Sequence, residues 1–125
     1  MNAKILVVDD EPNIVKLLDA RLSAFGYEFI TAYDGQDALD KAFQEKPDLI
    51  ILDIMLPKID GYKVCTMLRT DTKYEKCKNI PIVMLTARKE IESISKGMAL
   101  GAVSYIQKPF QAEVLLGIVK GLLGK

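Results

Sequence analysis

The sequence predicts an α/β fold in which a doubly wound parallel sheet is covered by helices on both faces. Five short apolar runs alternate with five segments of helical periodicity, a pattern typical of parallel strands joined by right-handed crossovers. The run Leu49–Leu52 is apolar at four consecutive positions, as in a strand buried on both faces. Five strands fit the flavodoxin-like (βα)5 order 2-1-3-4-5, and we expect one domain over residues 1–125.

The first two strand–helix units are bounded by residues that favour turns and helix ends. The strand 4–8 ends at Asp9-Asp10, and a helix follows from Pro12, which is tolerated in a first turn, to Gly26. A strand at 27–33 leads to Asp34-Gly35, which opens a helix that stops at 45–47. We expect the inward faces of these two helices to comprise Ile14, Leu17, Leu18, Leu22, Phe25, Ala38, Leu39, Ala42 and Phe43.

The other three units follow the same alternation. The strand 49–53 leads through a loop to Asp60-Gly61, which opens a helix to about Arg69. The polar segment 70–80 is predicted to be a surface loop. The remaining predicted elements are a strand at 81–86, a helix from about 89 to 100 ended by Gly101, a strand at 104–107 and a helix at 111–123. The inward residues expected on these last two helices are Ile91, Ile94, Met98, Ala99, Leu115, Ile118, Val119 and Leu122.

Composition and charge exclude several classes of function. Seventeen basic and seventeen acidic residues give a formal net charge of zero, which argues against direct contact with nucleic acid. No apolar run approaches the ~20 residues of a membrane span, and the first residues lack a signal-peptide pattern. The absence of histidine excludes histidine-based catalysis within this chain. Cys65 and Cys77 lack redox or zinc spacing, so we expect inert thiols in a cytoplasmic protein.

Polar side chains stand where four of the predicted strands end. Asp9 and Asp10 follow the first strand, Asp53 ends the third, Thr86 the fourth and Lys108 the fifth. In the order 2-1-3-4-5 the first and third strands are neighbours, so the three carboxylates should converge at one edge of the sheet. Clustered carboxylates repel one another, and Mg²⁺, which prefers oxygen ligands, relieves that repulsion. The sequence therefore predicts a magnesium site.

The same strand ends carry the groups that phosphoryl transfer requires. Asp53 is placed to act as a nucleophile and form an aspartyl phosphate. The Thr86 hydroxyl and the Lys108 ammonium can each stabilise one phosphoryl oxygen. Taken singly, these residues are better explained as helix caps, strand ends or an exposed lysine. Their joint placement on four strand ends favours the chemical interpretation.

Four motifs identify a family. They are ILVVDDEP (5–12), PDLIILDIMLPKIDGY (47–62), IPIVMLTA (80–87) and YIQKPF (105–110). With them the chain resembles the response-regulator receiver domains of two-component systems, in particular the chemotaxis-type regulators, from Lys4 to about Leu123. The motifs are specific as a set, although each alone is weak.

The resemblance implies a role for each residue of the acidic site. Asp53 would be the phosphoacceptor. Asp9 and Asp10, directly or through water, would hold Mg²⁺ together with Asp53 and the backbone carbonyl of Met55, with Mn²⁺ as the alternative ion. No second cofactor is implied.

The resemblance also implies a switch. Thr86 and Lys108 would be the switch hydroxyl and the phosphate-binding lysine, and Tyr105 an aromatic switch that moves inward with Thr86. The Lys108–Pro109 bond would be cis. Ala87 would leave the pocket open to a phosphodonor, and the variable positions Met55 and Arg88 would influence the lifetime of the phosphoryl group.

Partners follow from the same resemblance. A sensor histidine kinase or a phosphotransfer protein would supply the phosphoryl group from a phosphohistidine. The face formed by helix 4, strand 5 and helix 5, with Arg88, Lys89, Tyr105 and Gln107, would bind an unidentified target or output domain. Such a protein catalyses its own phosphorylation and dephosphorylation but is not a turnover enzyme. The sequence leaves open dimerisation on phosphorylation, and whether the chain is a free-standing regulator or part of a longer one.

Two alternatives remain at this stage. One is a Mg²⁺-dependent phosphatase of related fold. Such enzymes usually have a second Asp two residues after the nucleophile, where this chain has Met55. They also carry a cap domain, for which these 125 residues leave no room. The other is a phosphorylation-independent interaction module with a vestigial acidic site. Against the second stands the complete set Asp9, Asp10, Asp53, Thr86 and Lys108.

Overall fold

The computed structural model describes residues 2–87 and 91–124, with only the backbone at 87 and 91–93. Within these residues, five strands alternate with five α-helices. In chain order the elements are β1 (Lys4–Val8), α1 (Pro12–Ala24), β2 (Glu28–Ala32), α2 (Gly35–Glu45), β3 (Leu49–Asp53), α3 (Gly61–Thr70), a 3-10 helix (Thr72–Cys77), β4 (Ile82–Ala87), α4 (Ile91–Ala99), β5 (Ser104–Lys108) and α5 (Ala112–Leu123). None of the described helices is long and apolar enough to cross a bilayer.

The strands form one parallel sheet in the order β2-β1-β3-β4-β5, which confirms the predicted fold class. Val8 of β1 lies beside Leu52 of β3, and Asp53 lies beside Leu85 of β4. Ala87 at the end of β4 lies beside Lys108 at the end of β5. This register brings the carboxyl ends of the four strands that carry candidate site residues to the same edge of the sheet.

Each face of the sheet has its own apolar core. Side chains alternate along β1 and β3, so Leu6 and Ile50 pack with α2 and α3 while Ile5 and Ile51 pack with α1 and α5. All five residues of β3 are buried, as predicted from its unbroken apolar run. Both cores therefore pack against β3, the strand that ends in Asp53.

The predicted inward faces of the helices are partly wrong. The buried residues of α1 are Val15, Leu18 and Leu22, a narrow stripe one position away from Leu17. Phe25 follows the last residue of that helix and is 53% exposed, and the ammonium of Lys120 in α5 lies 4.0 Å from the centre of its ring. Six residues expected inside are exposed instead: Leu17, Phe25, Phe43, Met98, Ala99 and Leu122.

The segment 70–80 is not the surface loop that its polar composition predicts. Residues 72–77 form a 3-10 helix that begins after Asp71, whose carboxylate accepts the backbone N–H of Lys73 at 2.9 Å. With three residues per turn, Tyr74 and Cys77 share one face, and both are buried. Tyr74 also meets the ring of Phe43 edge-on, with 6.2 Å between centroids.

Both cysteines are buried and free. Burial raises the pKa of the Cys65 and Cys77 thiols, which disfavours the reactive thiolate. The inert role expected for them agrees with this environment.

Gly61 allows the loop after β3 to fold back on the strand. Its N–H donates to the Ile54 carbonyl at 2.9 Å, and the Asp60 carboxylate caps α3 by accepting the Lys63 N–H. A Cβ atom at Gly61 would lie 2.5 Å from the backbone oxygen of Asp53. A side chain at this turn would therefore force the loop 54–60 or β3 to shift.

The predicted start of the fourth helix near residue 89 lies outside the described residues, as do Arg88 and Lys89. The small side chain of Ala87 is likewise outside the description, although its backbone closes β4.

We expect Gly61→Ala to destabilise the fold. The added methyl group meets backbone atoms rather than a flexible side chain, so relief requires a shift of the loop or of β3. Such overpacking costs about 1–3 kcal/mol of unfolding free energy, measurable by urea denaturation.

Gly117→Ala is the matched control. Gly117 lies within α5, and a Cβ there would meet nothing within 4 Å. Helix propensity should then raise the unfolding free energy by up to about 1 kcal/mol. Equal stability changes in the two variants would contradict the steric argument.

Candidate functional site

Three carboxylates meet at the carboxyl edge of the sheet. Asp9 follows β1 and is fully buried, Asp53 ends β3 and is 5% exposed, and Asp10 is exposed. One carboxylate oxygen from each lies within 4.8 Å of the other two. The structure thus brings together the acids that the sequence placed on neighbouring strands.

Both carboxylate oxygens of Asp53 have partners. Oδ1 accepts the backbone N–H of Met55 at 3.1 Å, and Oδ2 lies 3.0 Å from the ammonium of Lys108. Burial raises the pKa of Asp53 to about 6, while Lys108 works in the opposite direction and the charge of Asp9 adds to the rise. A negative charge at Asp53 is therefore unfavourable and depends on nearby positive charge.

Lys108 supplies that charge from the end of β5. Its Nζ atom lies 3.0 Å from Asp53 Oδ2, 3.1 Å from Asp9 Oδ2 and 2.9 Å from Glu11 Oε1. Burial lowers the pKa of Lys108, but the hydrogen bonds to Glu11 and Asp53 outweigh it and raise the pKa above its ordinary value. The ammonium is therefore protonated at neutral pH. The following peptide bond, to Pro109, is cis.

Asp9 has one oxygen without a hydrogen bond. Its Oδ1 accepts the N–H of Glu11 at 2.9 Å. Oδ2 is buried and accepts no hydrogen bond, and its contact with Lys108 at 3.1 Å is an ion pair. A buried carboxylate oxygen that accepts no hydrogen bond is suited to act as a metal ligand. Together with the oxygens of Asp10 and Asp53, it forms a set of the kind that Mg²⁺ prefers.

Of the other predicted residues, Thr86 and Met55 lie at this edge, whereas Tyr105 lies three positions before Lys108 on β5, beside Met84. Thr86 is buried one position beyond Leu85, the neighbour of Asp53 on β4. Tyr105 on β5 is 42% exposed and borders a cleft of about 520 Å³ that also includes Val114 and Ile118 of α5. The Met55 side chain is exposed, so its backbone is the part held near Asp53.

Sequence reasoning gave Glu11 no role in the site, although the residue lies in the motif ILVVDDEP. It adjoins the pair Asp9-Asp10, and that run of three acids was the available signal. Its contact with Lys108 joins residues 97 positions apart, which periodicity and strand ends do not reveal.

Comparisons with known proteins agree with this geometry. The sequence model described as the response regulator receiver domain matches residues 5–120. Over 123 residues the chain is 50% identical to the alkaline phosphatase synthesis transcriptional regulatory protein PhoP of Bacillus subtilis, covering 98% of this chain and 49% of the relative. It is 45% identical over 120 residues to the probable transcriptional regulator ycf27 of Guillardia theta, covering 96% and 45%. The chain spans about half the length of the curated relatives it matches.

Solved structures share the whole fold. A putative response regulator from Chloroflexus aurantiacus superposes with a TM-score of 0.90 at 34% identity, covering 100% of both chains. The chemotaxis response regulator CheY4 of Vibrio cholerae gives 0.87 at 35% identity, covering 98% of this chain and 99% of the other. The BeF3-activated receiver domain of DrrB gives 0.87 at 35% identity over 100% of both chains.

We expect Mg²⁺ to stabilise this fold. A cation that binds only the folded state raises the unfolding free energy by about 2.7 kcal/mol at one hundred times its dissociation constant. Thermal unfolding followed with increasing MgCl₂ measures the effect. Asp9→Asn should abolish most of the shift, because the substitution removes a buried ligand charge.

Asp40→Asn provides the control. Asp40 lies on α2, where its carboxylate accepts a hydrogen bond from Gln36 and has no place in the acidic cluster. An equal magnesium response in wild type, Asp9→Asn and Asp40→Asn would refute the site.

Proposed function

Because this chain belongs to the response regulator receiver domains, we propose that it accepts a phosphoryl group on Asp53. Receiver domains of this family are signalling modules of two-component systems rather than turnover enzymes. The observation that carries the proposal is the Lys108 ammonium 3.0 Å from the buried Asp53 carboxylate, beside two further acids.

The donor is a phosphohistidine of a sensor histidine kinase or of a phosphotransfer protein. This chain has no histidine, so the donor imidazole comes from the partner. A carboxylate oxygen of Asp53 attacks phosphorus, and the phosphorus–nitrogen bond breaks. The bonding electron pair returns to the imidazole nitrogen, and Asp53 becomes an acyl phosphate.

Asp9, Asp10, Asp53 and the backbone carbonyl of Met55 would hold Mg²⁺, with Mn²⁺ as the alternative ion. When bound, the cation would offset the clustered negative charge and would stabilise negative charge on a phosphoryl oxygen. The buried Asp9 oxygen that lacks a hydrogen bond supports this assignment.

Three groups of the chain act on the reacting atoms. The Met55 N–H orients Asp53 through Oδ1. The Lys108 ammonium, now on Oδ2, passes to a phosphoryl oxygen as negative charge leaves the carboxylate. The Thr86 hydroxyl donates to another phosphoryl oxygen. Placing these donors before the reaction lowers its barrier, because no solvent has to reorganise around the transferred charge.

Phosphorylation then shifts the protein between two conformations. Thr86 moves toward the phosphoryl group, and the exposed ring of Tyr105 turns inward beside β4. The face formed by α4, β5 and α5 changes shape and binds a target more strongly in the active state. The residues Arg88 and Lys89 expected on that face lie outside the described part of the chain.

We further propose that residues 1–125 form a single receiver domain whose output is transcription. Both relatives named above are transcriptional regulators about twice as long as this chain. Contact with DNA is not assigned to residues 1–125, since their formal net charge is zero. Free, buried thiols suit a reducing cytoplasm as the site of this exchange.

Phosphorylation itself can be measured as intact mass after incubation with acetyl phosphate and Mg²⁺. We expect one phosphoryl adduct on the wild type and on Asp40→Asn. The adduct should be absent from Asp53→Asn, and from the wild type when the metal is chelated.

The outcome separates the competing functions. An adduct that persists in Asp53→Asn would place the modification elsewhere. Continuous hydrolysis of unrelated phosphate esters would favour the phosphatase alternative, and no adduct with either acetyl phosphate or a phosphorylated kinase would favour the interaction module.

The switch can be observed directly because the chain contains no tryptophan. In Tyr105→Trp we expect beryllofluoride with Mg²⁺, a phosphoryl mimic, to shift the emission to shorter wavelength as the ring becomes buried. Adding Thr86→Ala should abolish the shift. Tyr33→Trp, at an exposed site following β2, is the control and should not respond.

A further inference from the structure

Lys108 contacts a carboxylate that the proposed reaction does not use. Glu11 Oε1 lies 2.9 Å from its Nζ atom, the shortest of the three contacts that the ammonium makes with carboxylates. The backbone of Glu11 is fixed at the start of α1. Its N–H donates to Asp9, and its carbonyl accepts the N–H groups of Ile14 and Val15.

We propose that Glu11 is a positioning residue that restrains Lys108 and competes with the phosphoryl group for its ammonium. This inference rests on the proposed function, since it assigns Lys108 to the phosphoryl group on Asp53. Glu11 would thereby reduce the affinity of the site for a phosphoryl group.

Solvent exposure distinguishes Glu11 from the other two partners. The side chains of Asp9 and Asp53 are 0% and 7% exposed, whereas that of Glu11 is 58% exposed. Releasing Asp9 from Lys108 would leave a buried charge without its counter-ion, which is costly. Releasing Glu11 returns its carboxylate to water. The contact with Glu11 is therefore the one that Lys108 exchanges most easily.

The direction of the effect follows from charge. Three carboxylates, those of Asp9, Glu11 and Asp53, contact the ammonium of Lys108, and the carboxylate of Asp10 lies close to those of Asp9 and Asp53. A phosphoryl group on Asp53 would bind the same ammonium that Glu11 contacts, so both anions would share one cation. Replacing Glu11 by a neutral residue removes the competitor and the repulsion. Because Glu11 is exposed, solvent screens its charge and the gain is modest.

The test is the dissociation constant of beryllofluoride at saturating Mg²⁺, measured by fluorine NMR on the full chain. Glu11→Gln keeps the length of the side chain but removes its charge. We expect it to bind beryllofluoride about two- to fivefold more tightly, the size expected for an exposed ion pair. Glu11→Asp keeps the charge but is one methylene shorter, so it loses the 2.9 Å contact and should also bind more tightly.

Glu75→Gln is the matched control. Glu75 forms a 2.8 Å ion pair with Lys78, is similarly exposed and lies in the 3-10 helix, outside the acidic site. Its affinity for beryllofluoride should equal that of the wild type. A change in this variant as large as in Glu11→Gln would overturn the proposal, because the effect would then reflect net charge alone.

The remaining outcomes are also decisive. Unchanged or weaker binding by Glu11→Gln overturns the competition. Wild-type affinity in Glu11→Asp overturns the direct contact, because only the charge would then matter. These results leave the phosphoacceptor function intact. If the wild type binds no beryllofluoride and forms no adduct on Asp53, the proposed function fails, and this inference fails with it.

Discussion

The ion pair between Asp53 and Lys108 is the interaction on which the site depends. A carboxylate at the end of a fully buried strand needs a counter-ion, and the one it has comes from β5, with β4 between them. Breaking such a pair from one side costs about 3–5 kcal/mol, because a buried charge is left uncompensated. Asp53 pairs with Leu85, and Ala87 pairs with Lys108. This register places the carboxyl ends of β3 and β5 close together at one edge of the sheet. Sheet register is thus a condition for the chemistry as well as for the cores.

The same edge of the sheet is arranged for function at some expense of stability. Burial and the neighbouring charge of Asp9 both raise the pKa of Asp53, which means that the site disfavours the ionised form. An apolar strand end would be more stable. A bound cation can offset such unfavourable negative charge, and carboxylates with perturbed pKa values are accordingly common at functional sites. The close approach of Gly61 to the Asp53 backbone holds the next loop against this edge.

Lys108 connects the chemistry to the surface proposed to respond. Its strand also carries Tyr105, whose ring stands half-exposed beside a cleft bordered by α5. A change in the partners of the Lys108 ammonium therefore takes place on β5, the strand that also carries the proposed switch residue Tyr105. The ammonium also contacts Glu11, whose side chain is 58% exposed. Solvent therefore reaches one of the three ion pairs of Lys108, whereas its partners Asp9 and Asp53 are buried.

The sequence alone determined the fold class, the strand order and the acidic cluster. Apolar runs, helix caps and strand-end residues are local features that can be recognised in the sequence. Because the strands are parallel, the residues at their carboxyl ends all lie at one edge of the sheet. The tertiary structure decided what covers each surface and which partners each charge has. Phe25 and Phe43 remain exposed, while Tyr74 is buried in a segment of polar composition. The contact between Glu11 and Lys108 joins residues 97 positions apart. Such contacts depend on how separate helices and strands pack against one another, and the periodicity of a single element does not predict them.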